Sequence, residues 1–432
     1  MSFIKVLVVS ANAFSQTANN GKTLEAIFSK FDSTEISQLF FRPSSGNSYD
    51  YSYASSYYHV SDMDIIHSLR HFKRDCGREL ITPKSISVVK ENSPFYKKIK
   101  NPTRSYNVIF RDLLWKIPVW KGGGVLEWAQ KISPDVIFVY LGGGRYMLDV
   151  VLFLSKHLHI PYMVFYGDDY VLYAPKKRLF DRLQYWRSKR YYSTAINGAL
   201  RCFCIGDLMA IEYSSFFGKA FYPIMNSVAT KEFIPSQSNG DNIVMSYLGG
   251  LHLNRWKMLR RLADHLPDNT IIQIYTGTPL TIEMEEALSH PRIVLHGLVP
   301  QEEVERIMIE SDILLHVESD EEEYRNYTHL SVSTKIPEYM MAGRLIVAYG
   351  PTEVASMKLI SSNRLGIVIS SDCNDIELKN QLSAICSNPD MFNGFGTAAY
   401  QYANSVFNRE KVASEFRKEV EKALDESIKI GQ

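Results

Sequence analysis

The residues best suited to chemistry lie between Ser331 and Gly350 of this 432-residue chain. Hydroxyl side chains at Ser331, Ser333 and Thr334, followed by Pro337, mark the opening of a helix, and Gly343 suits the left-handed residue that ends one. Lys335 and Glu338 fall in or beside the first turn, where free backbone N–H groups and the helix dipole favour an anion. A cation and a carboxylate there could meet a phosphate and sugar hydroxyls respectively. Each has a plainer reading as well, Lys335 as an ordinary exposed lysine and Glu338 as a carboxylate complementing the dipole.

Five other stretches carry candidate chemistry. Gly249-Gly250 ends an apolar run and lets backbone approach a phosphate, while Arg255 is a charge-assisted phosphate ligand or a solvated helix residue. Glu318, Asp320, Glu321, Glu322 and Glu323 follow a strand end; the run reads mostly as a solvated loop, with Glu318 and the nearby His329 the members to test. Asp168 and Asp169 follow another strand end, where a carboxylate could orient or deprotonate an acceptor hydroxyl, or simply form a turn. Gly21-Lys22 and Gly142-Gly143-Gly144-Arg145 are loops that permit a ligand to come close or that turn the chain tightly. Two adjacent carboxylates do not by themselves make a metal site, so no metal is expected.

These residues hang on alternating strands and helices. Lys5–Ser10, Asp135–Tyr140 and Pro161–Tyr166 are continuous apolar runs, the mark of strands buried on both faces, with helical spacing between them. After about residue 225 the pattern restarts with Asn242–Leu248, Thr270–Tyr275, Arg292–Leu295, Ile313–Val317, Leu345–Tyr349 and Gly366–Ile369. Strand–helix–strand units imply parallel sheets, and parallel sheets bind ligands beyond their carboxyl strand ends. The expected architecture is therefore α/β, with two doubly wound domains, 1–225 and 226–405, and a cleft between them. The polar stretch Ser236–Asp241 is the candidate linker, and 406–432 is an amphipathic helix that should dock on the body.

The second half resembles the donor-binding half of retaining glycosyltransferases of the family-4 (group 1) kind, which have the GT-B fold. Four pieces carry the resemblance in order: Tyr222–Val228 with Phe233-Ile234-Pro235; Tyr247–Leu251 with Arg255; His296-Gly297 through Leu315; and Thr334-Lys335-x-x-Glu338-Tyr339-Met340-x-Ala342-Gly343. The resemblance implies a Rossmann-like acceptor domain followed by a Rossmann-like donor domain. It also implies transfer of a sugar from a UDP- or GDP-sugar to a saccharide or polyprenyl-diphosphate-sugar acceptor, as in surface polysaccharide assembly. Gly249, Gly250, Arg255, Gly297, Thr334, Lys335 and Glu338 would contact the donor, and Gly21, Lys22, Arg145, Glu318 and His329 the sugar or the acceptor. Members often pair two glutamates eight positions apart; here Leu330 stands eight residues before Glu338. A nucleotide-sugar epimerase on the same fold, or a non-catalytic nucleotide-sugar-binding partner, are the alternatives.

Composition narrows the rest. A net charge of +1 gives no ground for bulk nucleic-acid binding, and 45% hydrophobic with 22% charged residues is ordinary for a globular enzyme. Five scattered cysteines read as buried thiols. The start of the chain reads as a strand rather than a secretory leader, and Asp135–Tyr166 is too interrupted to span a bilayer, so the expected location is cytoplasmic. Lys176–Arg190 and Pro94–Trp120 interleave aromatic and basic residues, which suits either peripheral contact with anionic membrane at the inner face of the plasma membrane or a basic face packing its rings inward. A P-loop is excluded because Gln16 stands where its first glycine belongs, and a dinucleotide fingerprint fails at Met147.

Overall fold

The computed structural model describes residues 3–15, 19–42, 52–71, 76–80, 111–142, 145–173, 179–236 and 242–431. Gly143, Gly144, most of the candidate linker, Lys176–Arg178 and the stretch 94–110 lie outside the described residues. The chain divides into two compact units: Met1–Ile224 with Ala413–Gln432, and Met225–Val412.

The first unit is built on an eight-stranded sheet in the order β4-β3-β2-β1-β5-β6-β7-β8. Its centre is β1 (Val6–Ser10), in parallel register with β2 (Ile36–Phe40) through Val6↔Ile36 and with β5 (Val136–Leu141) through Val6↔Val136. Every residue of these three strands is buried, which explains the apolar runs of β1 and β5, while β2 buries Ser37 and Gln38 between apolar residues. The strands β3 (Ser56–His59), β6 (Tyr162–Tyr166), β7 (Arg201–Cys204) and β8 (Phe221–Pro223) extend it in parallel, and β4 (Arg78–Leu80) closes one edge antiparallel. The helix Arg409–Gly431 returns to this unit. Phe416 meets the rings of Phe28, Phe138 and Phe203 at 5.1, 5.4 and 5.3 Å, and the buried guanidinium of Arg417 donates to both oxygens of buried Glu35 at 2.8 and 2.9 Å. Docking of the last helix follows from this aromatic cluster and this ion pair.

The second unit holds an all-parallel six-stranded sheet, β11-β10-β9-β12-β13-β14. These strands are β9 (Ile243–Leu248), β10 (Thr270–Tyr275), β11 (Ile293–His296), β12 (Ile313–Val317), β13 (Leu345–Gly350) and β14 (Ile367–Ser370). Met245, Leu315, Val317, Leu345 and Val347 lead its core, against helices such as Arg255–His265 and Asp375–Cys386. In each sheet the strand order reverses direction once, between β1 and β5 in the first and between β9 and β12 in the second. Such switch points open a crevice at the carboxyl strand ends, which is where ligands bind in doubly wound sheets.

Candidate functional site

In the second unit most of the candidate residues gather at this switch point, and Gly297, after β11, lies apart from it. The chain leaves β9 through Gly249 and Gly250 and enters the helix Arg255–His265 by way of Leu253 and Asn254, both at positive φ (61° and 55°). Left-handed non-glycine residues cost of order 1 kcal/mol or more each, so the loop is held in a shape that the chain does not adopt by default. It is held from several sides. The Gly249 N–H bonds the Tyr275 carbonyl at 3.1 Å, Tyr247 Oη donates to the Gly250 carbonyl at 2.7 Å, the Leu251 N–H bonds Thr278 Oγ1 at 3.0 Å, and Asn254 Nδ2 donates to Glu321 Oε1 at 2.8 Å.

Glu318 follows β12, directly across the switch point, and is buried rather than solvated. Its two carboxylate oxygens accept from Arg255 Nη2 at 3.1 and 2.9 Å. Burial alone would lower the Arg255 guanidinium, but Glu318 and Tyr247 outweigh it and hold it above its ordinary value. His316 points from β12 to the same carboxylate, with Nε2 3.4 Å from Glu318 Oε1; full burial pulls its pKa down to about 4, so the ring is neutral. Glu321 pairs with Lys257 at 2.8 Å, whereas Asp320, Glu322 and Glu323 are exposed. The acidic run is thus partly the solvated first turn of the helix Glu322–Thr328, in place of the expected loop, and partly a set of partners for the helix after β9.

The third component is the short helix Lys335–Met341. Thr334 precedes it in helical conformation without a side-chain cap and is exposed, while Ser333 Oγ accepts the Lys335 N–H at 3.4 Å. The sequence expectation that a hydroxyl opens the helix is met one residue earlier, at Ser333. Gly343 ends it at φ +66°, the left-handed geometry expected there. Lys335 Nζ donates to Glu338 Oε2 at 2.8 Å, so the two candidate ligands pair with each other. Buried Tyr339 fixes the helix to the sheet: its hydroxyl accepts the Leu248 N–H at 3.0 Å and faces the Leu248 carbonyl at 3.4 Å. That contact places Lys335 and Glu338 beside the turn at Gly249, and nothing in the local sequence announces it. Leu330 is fully buried, and His329 holds the next helix through its carbonyl, which accepts the Ala355 N–H at 2.8 Å. The position eight residues before Glu338 is therefore a core position. Gly297 follows β11, exposed and with open space around it.

In the first unit the candidates are more firmly engaged. Gly21 and Lys22 lie in the helix Asn19–Phe28 rather than in the expected loop; a side chain at Gly21 would overlap the Ala13 carbonyl oxygen, so the close approach this glycine allows is to the chain's own loop, and Lys22 is half-buried. Arg145 follows β5 and is ion-paired with buried Asp112, whose carboxyl burial pushes above its ordinary value. Asp169 follows β6 with both oxygens occupied: it accepts the N–H groups of Val171, Leu172 and Tyr173 at 2.9, 3.0 and 3.2 Å and the Tyr213 hydroxyl. That is the bonding of a turn-forming aspartate. Asp168 accepts from Tyr170 Oη at 3.2 Å. Among the described residues no group of three or more His, Cys, Asp or Glu side chains could hold a metal ion.

Two parallel doubly wound sheets in this strand order, with a last helix returning to the first unit, are the GT-B fold of glycosyltransferases. Among solved structures, HepE of Anabaena in complex with UDP and glucose matches over 97% of this chain and 100% of its own, at TM-score 0.64 and 12% identity. TarM matches over 96% and 98% at TM-score 0.61 and 11% identity. WaaG, a glycosyltransferase involved in lipopolysaccharide biosynthesis, matches over 95% and 99% at TM-score 0.55 and 13% identity. No protein-family model and no curated protein sequence matches the chain.

Proposed function

We propose that this protein is a glycosyltransferase that moves a sugar from a UDP- or GDP-sugar to a saccharide or lipid-linked acceptor with retention, in surface polysaccharide assembly. The observation that carries this reading is the meeting, at the β9/β12 switch point, of the Gly249-Gly250 turn, Arg255 and the helix bearing Lys335 and Glu338, tied down by Tyr339. In this reading Arg255 and Lys335 face the diphosphate, and Glu338 releases Lys335 to accept from the ribose hydroxyls. Thr334 and Gly297 line the nucleotide. Occupied oxygens on Asp169 support assigning proton acceptance to the donor phosphate rather than to that carboxylate, with Asp168 left to orient the acceptor. Gly21, Lys22, Arg145, Glu318 and His329 support the donor and acceptor sites through their surroundings. No cofactor is required.

The described part of the basic segment supports peripheral contact with an anionic membrane. On the helix Leu179–Gly198, Leu183 and Trp186 are 57% and 59% exposed among exposed Arg182, Arg187 and Arg190. Among the described residues no helix is long and apolar enough to cross a membrane. A thermal-shift screen over nucleoside diphosphates tests the donor reading, since a ligand of the folded state raises the unfolding temperature by mass action. The reading expects a shift with UDP or GDP; a chain that no nucleoside diphosphate stabilises contradicts it.

A further inference from the structure

The cations of the candidate donor site are all engaged before any ligand arrives. Arg255 is bound to Glu318 at 2.9 Å, Lys257 to Glu321 at 2.8 Å and Lys335 to Glu338 at 2.8 Å, three cations against three carboxylates. The pairs differ in depth. Lys257 and Glu321 are about half exposed, so their pairing is weak and screened. Lys335 and Glu338 have 28% and 11% of their side chains exposed, within reach of a ligand that could separate them. Arg255 and Glu318, at 16% and 4%, are different. A buried carboxylate that loses its cation carries a heavy desolvation cost, so Arg255 cannot leave Glu318 to serve a phosphate alone. Any phosphate that meets Arg255 also meets the field of Glu318.

The surrounding groups do not offset that carboxylate. His316 is buried, its Nε2 has no hydrogen-bond partner and lies 3.4 Å from Glu318 Oε1, and burial keeps the ring neutral. His252, on the loop before Arg255, is likewise lowered by burial and then by Arg255. The centre of the site thus presents a guanidinium whose charge is balanced by a fixed carboxylate.

We infer that Glu318 is a specificity determinant of the donor site: by balancing Arg255 it favours the less charged nucleotide sugar over the more highly charged nucleoside diphosphate that transfer leaves behind. The inference rests on the donor-site reading above. A nucleotide sugar is a diphosphate diester with two charges. The free nucleoside diphosphate ends in a phosphate monoester whose second ionisation lies near pH 6, which adds about one charge at pH 8. An unbalanced Arg255 would reward that added charge and retain the product; a balanced one does not.

The experiment is calorimetric titration at pH 8 and low salt of wild type, Glu318→Gln and Glu318→Asp, with UDP against UDP-glucose and with GDP against GDP-mannose. The glutamine keeps a hydrogen-bond acceptor for Arg255 and removes the charge; the aspartate keeps the charge. The expected result is that Glu318→Gln shifts the affinity ratio toward the nucleoside diphosphate by about threefold or more, while Glu318→Asp stays near the wild-type ratio. A ratio unchanged or shifted the other way in Glu318→Gln overturns the inference while leaving the donor site standing. Absence of binding to the wild type sinks the donor reading itself. If Glu318→Gln does not fold, Arg255→Gln and Arg255→Gln/Glu318→Gln decide. The single variant, with its carboxylate unbalanced, should shift the ratio toward the nucleotide sugar, and the double variant should bring it back; equal ratios in the two overturn the inference.

Discussion

Tyr339 and Tyr349 offer one chemical change with two opposite expectations. Both rings are buried in the second unit, at 1% and 0% exposure. The Tyr339 hydroxyl accepts the Leu248 N–H at 3.0 Å, whereas the Tyr349 hydroxyl is buried without a hydrogen-bond partner. Tyr339→Phe removes the acceptor and strands a buried N–H at the end of β9. Leaving one buried donor unsatisfied costs about 1–3 kcal/mol, so about 2 kcal/mol is expected. For a unit of this size that lowers the unfolding midpoint by about 4–8 °C. Tyr349→Phe removes a polar atom that has no partner, and its expected effect is near zero or stabilising. Differential scanning calorimetry, with donor binding measured alongside, resolves both. Tyr339→Phe should also weaken nucleotide binding, since the helix carrying Lys335 and Glu338 loses its tie to the sheet. Equal effects of the two substitutions on stability, or a neutral Tyr339→Phe, would refute the role given to this hydroxyl.

Other substitutions test other parts. Glu338→Ala should weaken donor binding more than tenfold, about 1.4 kcal/mol, by titration; unchanged affinity would reduce the carboxylate to a partner for Lys335 and the helix dipole. Arg417→Ala should cost about 3–5 kcal/mol in denaturant unfolding of the first unit, because Glu35 is left buried without its cation. Burial alone would raise the Glu35 carboxyl, but Arg417 and the N–H groups of Ile4 and Asp32 outweigh it and hold it below its ordinary value of 4.5. Its contribution to stability is therefore complete above pH 4.5 and lost as pH falls through the lower folded value, a loss that Arg417→Ala should abolish. Flotation with anionic vesicles should recover the chain, and Trp186→Ala with Arg187→Ala and Arg190→Ala should reduce recovery severalfold. Recovery indifferent to anionic lipid would remove the membrane contact.

Much of the fold is legible along the sequence because it is local. Buried parallel strands write themselves as unbroken apolar runs, as at Val136–Leu141 and Leu345–Tyr349, and Gly343 shows the helix end by being the residue that tolerates positive φ. The site is legible only in its parts. Lys335 and Glu338 stand out by spacing, but their position beside Gly249 depends on Tyr339 reaching Leu248 across 91 residues. Glu318 stands out as the first carboxylate after a strand end, but its pairing is not legible, since its partner Arg255 lies 63 residues earlier. His316 did leave a signal, as the one ionisable residue in the apolar strand Ile313–Val317. Asp169 is equally readable as a catalytic or a turn-forming residue, and only its four bonding partners show the second.

A nucleoside diphosphate is expected to bind at the β9/β12 switch point of the second unit. Titration of UDP and GDP into wild type and into the Arg255→Gln/Lys335→Gln double variant tests it most directly. Saturable binding of one nucleotide per wild-type chain and a loss of more than tenfold in the variant are expected. Binding undiminished in the variant, or none to the wild type by either nucleotide, would contradict it.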